Sequence, residues 1–153
     1  MTLLKITALL LLGSTLGTAT AAGITPVVPV VDTSTLPALP AGWAELNPLR
    51  GNAIAATVGR SAFNQSCATC HGMDADGSRA PAPDLRRIGR ACGRVRDAAL
   101  HQRCLSDADH FFLKSVLKGK QKFGIEHMPA WEGVLDPAVV WSLRSFIETT
   151  GRP

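Results

Sequence analysis

The sequence predicts an all-α domain, and three observations carry that prediction. Apolar residues recur at helical spacing in segments that follow residues able to cap a helix. No segment alternates between apolar and polar residues in the way a half-buried strand does. Hydrophobic residues make up 46% of the 153 residues and charged residues 18%, which is enough for the core of one domain.

The first 21 residues have the composition of an export signal. Lys5 precedes an apolar run, and small residues with an A-x-A cleavage pattern occupy positions 19–21. An uncleaved membrane anchor is the alternative, but Gly, Ser and Thr interrupt the apolar stretch after Leu12. We therefore expect a signal peptide at residues 1–21 and a periplasmic protein.

Proline-rich sequence follows the signal and separates it from the folded domain. Because proline removes backbone donors and disfavours helix, residues 22–49 are expected to form an extended arm, either free or lying on the surface. The domain is expected at residues 50–150. A formal net charge of +4 is too small to indicate nucleic acid as a partner, and we expect a monomer.

Capping residues mark the expected helices. Asn52 opens the first, and Asp136 with Pro137 opens the last. Between them, Asp107 and Asp109 suit the first turn of a helix, where carboxylates face the positive end of the dipole. The expected helices run from Asn52 to about Gln65, around 96–104, from Ser106 to Gly119 and from Asp136 onward, with loops at 72–91 and 119–135.

The C-x-x-C-H sequence at residues 67–71 is the signature of covalent haem attachment. Its thiols add to the two vinyl groups of a porphyrin, and the adjacent imidazole binds the iron. A disulfide, a redox thiol pair and half of a zinc site are the alternatives. No βαβ pattern accompanies the motif, and the other two cysteines do not form a second C-x-x-C pair. The motif thus predicts one covalent haem c, attached through Cys67 and Cys70 with His71 as iron ligand.

The opposite face of the iron needs a second ligand, for which Met128 is the best candidate. Pro129 restricts its loop, and a thioether stabilises ferrous iron and raises the potential. Met73 is too near His71 in sequence to reach that face. His127 is the rival, since imidazole also binds iron and would lower the potential.

The residues around these motifs resemble the class I c-type cytochromes over about residues 50–150. Gly59 and Phe63 stand before the haem motif as in that family, and residues 82–85 resemble its proline loop. The resemblance implies the class I cytochrome c fold, with helices wrapped around one covalently bound haem. It also implies that Leu143 and Phe146 pack where the terminal helices cross, and that the Pro83 carbonyl accepts a hydrogen bond from His71.

A narrower resemblance is to the periplasmic cytochrome c-550 proteins that accept electrons from quinoprotein (PQQ-dependent) alcohol dehydrogenases. It rests on residues 47–52, residues 59–64 and the insert with two cysteines. It implies an electron-transfer protein rather than an enzyme. Its redox partners would be a quinoprotein dehydrogenase as donor and a terminal oxidase or another cytochrome as acceptor.

A minimal class I cytochrome lacks the segment at about 86–106. Cys92 and Cys104 lie within it, and we expect a disulfide between them because exported proteins meet an oxidising compartment. Two free buried thiols are the alternative. The insert and the chain after it are basic, which fits either a solvated surface or a rim that attracts an acidic redox partner. The basic residues are Arg86, Arg87, Arg90, Arg94, Arg96, Arg103, Lys114, Lys118, Lys120 and Lys122.

Two other functional classes stay open at the level of sequence. A haem enzyme or gas sensor would need a labile sixth ligand, with His127 as a distal group if Met128 dissociates. A thiol-redox or zinc-binding module would carry no haem at all.

Overall fold

The computed structural model describes residues 25–151, so the predicted signal peptide at residues 1–21 lies outside the described residues. Between residues 25 and 151, no helix combines the length and apolar character needed to cross a membrane. The all-α prediction is confirmed, with one small antiparallel hairpin added to it. The elements are α1 (Ala53–Ser66), α2 (Ala68–His71), α3 (Ala98–Lys118), β1 (Lys120–Lys122), β2 (Ile125–Met128) and α4 (Pro137–Thr150), with short 3₁₀ segments at Met73–Ala75, Leu85–Arg87 and Arg90–Arg94.

Helices α1 and α4 cross in close contact at Gly59. The Asn52 side chain caps α1 by accepting a hydrogen bond from the Ala55 amide, as expected. A β-carbon on Gly59 would stand 1.9 Å from the Ser142 carbonyl oxygen, so only glycine allows this approach. One turn further along α1, the rings of Phe63 and Phe146 pack with centroids 5.4 Å apart. The crossing therefore builds the centre of the core, as the glycine predicted.

One continuous helix, α3, replaces the two shorter helices expected around 96–104 and after Ser106. Asp97 caps it by accepting from the Leu100 amide, and no proline or glycine interrupts it before Gly119. Ser106 does not cap a helix, because it lies inside α3, and its hydroxyl donates to Glu45. The placement of Asp107 and Asp109 in a first turn was therefore wrong: both lie in the middle of α3, and Asp109 is fully buried.

Asp109 is the centre of a buried ionic cluster that joins α3 to α4. One carboxylate oxygen accepts from the Arg144 Nε atom at 2.7 Å, and the other accepts from the Asn47 amide and the Arg50 guanidinium. Glu148 pairs with both arginines. Because Arg144 is also buried, this cluster stabilises the fold only while its charges remain paired.

The segment before α1 has neither helix nor strand over residues 25–52, and it lies against the helices. Backbone atoms of Val30 exchange hydrogen bonds with the Gln65 side chain, and Ser66 donates to the Val27 carbonyl. Closer to α1, Leu49 is buried in a small cluster with Trp141. These contacts attach the segment to α1 and α4.

The loop expected at 119–135 contains the hairpin. Its strands have three and four residues, and nearly all of their side chains are exposed. In β2 the half-buried residues are Glu126 and Met128, one polar and one apolar, so the sequence has no alternation in hydropathy that could reveal the strand. A bulge lies between Lys120 and Gln121.

Candidate functional site

The C-x-x-C-H motif directly follows α1: Cys67 caps the end of α1, and the other four residues form α2. The Cys67 amide donates to the Phe63 carbonyl at 2.8 Å, and the His71 amide donates to the Cys67 carbonyl at 2.9 Å. Cys67 and Cys70 are free thiols, half-buried on one short helix. Burial raises the pKa of the Cys67 thiol to about 12, which disfavours the thiolate that redox chemistry requires.

His71 is held in one orientation by the proline loop. Its Nδ1 atom lies 3.1 Å from the Pro83 carbonyl oxygen, to which it donates, and the Ala82 amide donates to the Cys70 carbonyl at 3.1 Å. Burial lowers the pKa of His71, so the neutral imidazole is favoured. With Nδ1 occupied, Nε2 is the nitrogen that remains to bind a metal.

The turn after the motif is fixed to α1 by a polar group that no sequence motif marks. The Asp74 carboxylate accepts from Arg60 and Asn64, and the Asp74 amide donates back to the Asn64 side chain at 2.9 Å. Asp74 and the buried Ala75 both have positive φ angles, 53° and 60°. Such angles cost non-glycine residues free energy, so these side-chain bonds hold a strained turn beside His71. Arg60 and Asn64 are one helical turn apart, a spacing too common to signal this role by itself.

Met128 and His127 differ sharply in their surroundings. Met128, at the end of β2, is half-buried and packs against the main apolar core, whereas His127 is exposed. Beyond Met128, the Trp131 amide donates to the Val116 carbonyl at 3.0 Å, which ties the loop to α3. A β-carbon on Gly119 would stand 2.4 Å from the Met128 carbonyl oxygen, so glycine permits this path. Met73, by contrast, is 62% exposed.

The residues present fit a c-type haem. Two thiols, an imidazole with one nitrogen already bonded and a thioether are the donor set that such a haem takes. Apolar side chains suited to packing on a porphyrin join Cys67 and Met128 in one cluster. They include Phe63, Leu85, Ile88, Leu113, Val116, Trp131, Phe146 and Ile147.

Cys92 and Cys104 are joined by a disulfide, with Cα atoms 5.6 Å apart. It links the 3₁₀ segment of the insert to the N-terminal half of α3. The bond also removes both of these thiols as ligands for a zinc site completed with Cys67 and Cys70.

The comparisons with known proteins agree with this geometry. The family described as cytochrome c oxidase, cbb3-type, subunit III matches residues 54–147. Cytochrome c550 of Pseudomonas aeruginosa is 31% identical over 123 residues, which is 78% of this chain and 74% of that protein. No solved structure matches the chain. The chain therefore belongs to the class I c-type cytochromes, a family of electron-transfer proteins with covalently bound haem c.

Proposed function

We propose that this protein is a monohaem periplasmic electron carrier with His71 and Met128 as its two axial ligands and Cys67 and Cys70 as attachment residues. The observation that carries the proposal is the Nδ1 hydrogen bond from His71 to the Pro83 carbonyl. This bond fixes the tautomer and the orientation of the imidazole, and it makes the ligating nitrogen more basic.

The haem, when bound, supplies a one-electron couple between ferric and ferrous iron. His71 and Met128 would both hold the iron and apolar side chains would surround the haem, so no coordination position would be left for a substrate. Half-burial of Met128 against the core supports it over the exposed His127 as sixth ligand. A haem enzyme or gas sensor needs the opposite property, a vacant or labile position.

Absorption spectra of the purified holoprotein test the ligand assignment. Methionine ligation gives ferric haem a weak near-infrared charge-transfer band, which we expect in the wild type. Met128→Ala should abolish this band and lower the reduction potential, within the roughly 0.8 V that axial ligands span. His127→Ala is the matched control and should keep both properties. A high-spin wild-type spectrum, or loss of the band in the His127 variant instead, would reject Met128 as the ligand.

A quinoprotein alcohol dehydrogenase is the donor that we propose, and a terminal oxidase or another cytochrome is the acceptor. The resemblance of residues 47–52 and 59–64 to the cytochromes that serve such dehydrogenases supports the donor, as does the relative named cytochrome c550. Export through the N-terminal segment, followed by haem attachment in the periplasm, completes the proposal.

Direct reduction tests the donor. We expect a purified PQQ-loaded alcohol dehydrogenase, supplied with ethanol, to reduce the ferric holoprotein in a reaction that saturates with cytochrome concentration. Omission of ethanol is the control. If a small hydroquinone reduces the cytochrome but the active dehydrogenase does not, this donor is rejected. The electron-carrier proposal is unaffected by that result.

A further inference from the structure

The basic side chains predicted to form one rim lie in two separate regions. Arg90 and Arg94 of the insert line a cavity of about 440 Å³ together with Arg144 and Glu148 of α4. Lys118 ends α3, and the hairpin carries two further lysines beyond it. A 21-residue helix is about 30 Å long, so these regions stand at opposite ends of α3. We call them the insert region and the hairpin region.

The tip of the hairpin presents an aromatic residue that contributes little to folding. Phe123 is 89% exposed and has a φ angle of 54°, and Gly124 follows it at 74°. Glycine and asparagine are the usual residues at such turn positions, because a bulky side chain is strained there. A strained aromatic side chain held out in solvent is a feature that function explains better than stability does.

Other apolar side chains and lysines surround this tip. Ile125 is 61% exposed on β2, and Phe111 of α3 is 55% exposed beneath Lys120, whose Nζ atom lies 5.0 Å from the ring centroid. Lys122 lies in the same way over Phe123, at 5.2 Å. The hairpin region therefore combines exposed aromatic and aliphatic area with positive charge, the composition of many protein contact surfaces.

The hairpin also leads directly to the proposed iron ligand. Met128 ends β2, five residues after the tip, and it packs into the core that would hold the haem. A partner that contacts the hairpin is therefore next to the segment that binds the iron. The insert region also adjoins this core, because Ile88 and Ile147 line its cavity, but neither of the proposed iron ligands belongs to it.

We propose that the hairpin region is the surface on which the electron-transfer partner docks, and that the insert region is not. The partner fitted to it has an exposed apolar patch within a ring of carboxylates. The apolar patch covers Phe123 and Ile125, and the carboxylates pair with Lys120 and Lys122. This inference rests on the proposed electron carrier but not on the identity of its donor.

Charge-matched and apolarity-matched variants of the holoprotein test the proposal. At the hairpin the variants are Phe123→Ser and Lys120→Glu. At the insert end they are Leu100→Ser and Arg90→Glu, which likewise replace one exposed apolar and one exposed basic residue. Stopped-flow mixing with ethanol-reduced PQQ alcohol dehydrogenase, and separately with reduced cytochrome b5 as an acidic redox protein, gives second-order rate constants. A small uncharged hydroquinone gives the rate without docking.

We expect each hairpin variant to lower the rate constant with a protein partner by about tenfold at low ionic strength, because steering and docking multiply association rates by ~10–10³. Both insert variants should react like the wild type, and all four should react equally with hydroquinone. Equal losses at the two ends, or unchanged hairpin variants, would overturn the proposal. If only cytochrome b5 reduces the wild-type protein, the dehydrogenase is rejected as donor. The rate constants of the four variants with cytochrome b5 then test the docking surface.

Discussion

The two ends of α3 differ in how they are held. At its N-terminal half the helix is cross-linked to the insert by the Cys92–Cys104 disulfide, and midway the buried Asp109 binds it to α4. At its C-terminal end, Gly119 leads into a hairpin whose side chains are mostly exposed. A disulfide and a buried ionic cluster thus secure one end, whereas the other is held by the apolar packing of Phe112 and Val116 and by backbone hydrogen bonds to residues 131–132.

Positive charge has a different use at each end of α3. Arginines near the secured end include the buried Arg144 and the half-buried Arg50, which neutralise carboxylates inside the protein. Lysines at the hairpin lie in solvent beside exposed rings. Arginine suits buried pairs because its planar group makes several fixed hydrogen bonds, whereas lysine remains hydrated.

Removing the buried charge of Asp109 should have the largest effect on the free energy of unfolding. Asp109→Asn leaves the buried Arg144 without its main partner, and breaking such a pair costs about 3–5 kcal/mol of the free energy of unfolding. Chemical denaturation of the holoprotein measures this loss. Glu132→Gln, which breaks the exposed pair with Lys118, is the control and should cost less than about 1 kcal/mol. Equal costs would mean that the buried cluster is no more important than a surface pair.

Removing the disulfide should have the next largest effect. The double variant Cys92→Ser/Cys104→Ser is expected to lose about 3 kcal/mol of unfolding free energy, because the unfolded chain regains the freedom of a loop of about a dozen residues. Its near-infrared haem band should be unchanged, since the hairpin end has no direct contact with the bond. A change in that band would show that the two ends of α3 are coupled. Wild-type protein in reducing buffer provides a second comparison.

A smaller effect is expected from a methyl group placed at the hairpin end. Gly119→Ala forces a β-carbon against the Met128 carbonyl oxygen at a φ angle of 65°, and such strain costs about 1–3 kcal/mol. Unlike the disulfide variant, it should also shift the near-infrared haem band. Gly93→Ala in the insert has nothing within 4 Å of the new carbon and should leave both properties unchanged. A normal band in Gly119→Ala would argue against strict positioning of Met128 by this glycine.

The smallest expected effect concerns the turn beside His71 and depends on pH. The Arg60 and Asn64 side chains hold the pKa of Asp74 at about 2, below its ordinary value of 3.8. A lowered pKa in the folded state means that the stabilisation is complete above 3.8 and is lost as the pH falls toward 2. Asp74→Asn should therefore lower the denaturation midpoint at neutral pH and flatten its dependence on pH in that window. Asp107→Asn, on an exposed part of α3, should keep the wild-type slope.

The sequence was most informative where a local pattern has one physical meaning. The spacing of Cys67, Cys70 and His71 predicts haem attachment, and the cap at Asn52 marks the start of α1 correctly. It was least informative where long-range contacts decide the structure. Asp109 was expected in the first turn of a helix, yet tertiary partners from residues 47–50 and α4 draw it into the core. The hairpin was missed because its short, mostly exposed strands have no alternation of apolar and polar residues.

The polar partners of the site show the same limit. Arg60, Asn64 and Asp74 come together only because the chain reverses after α2, and no local rule predicts this reversal when its positive φ angles fall on non-glycine residues. The basic residues are a further example. Their order along the chain suggests one surface, but a continuous α3 separates them by its own length.

The crossing of α1 and α4 at Gly59 has a consequence for biogenesis. The haem attachment residues directly follow α1, but their core is closed by α4, which is synthesised after them. Until α4 arrives, the two cysteines belong to a chain whose hydrophobic centre is incomplete. Bringing the two helices together also closes a long loop, which slows folding relative to local contacts. The order of synthesis therefore gives attachment a period in which to occur before the protein closes around its haem.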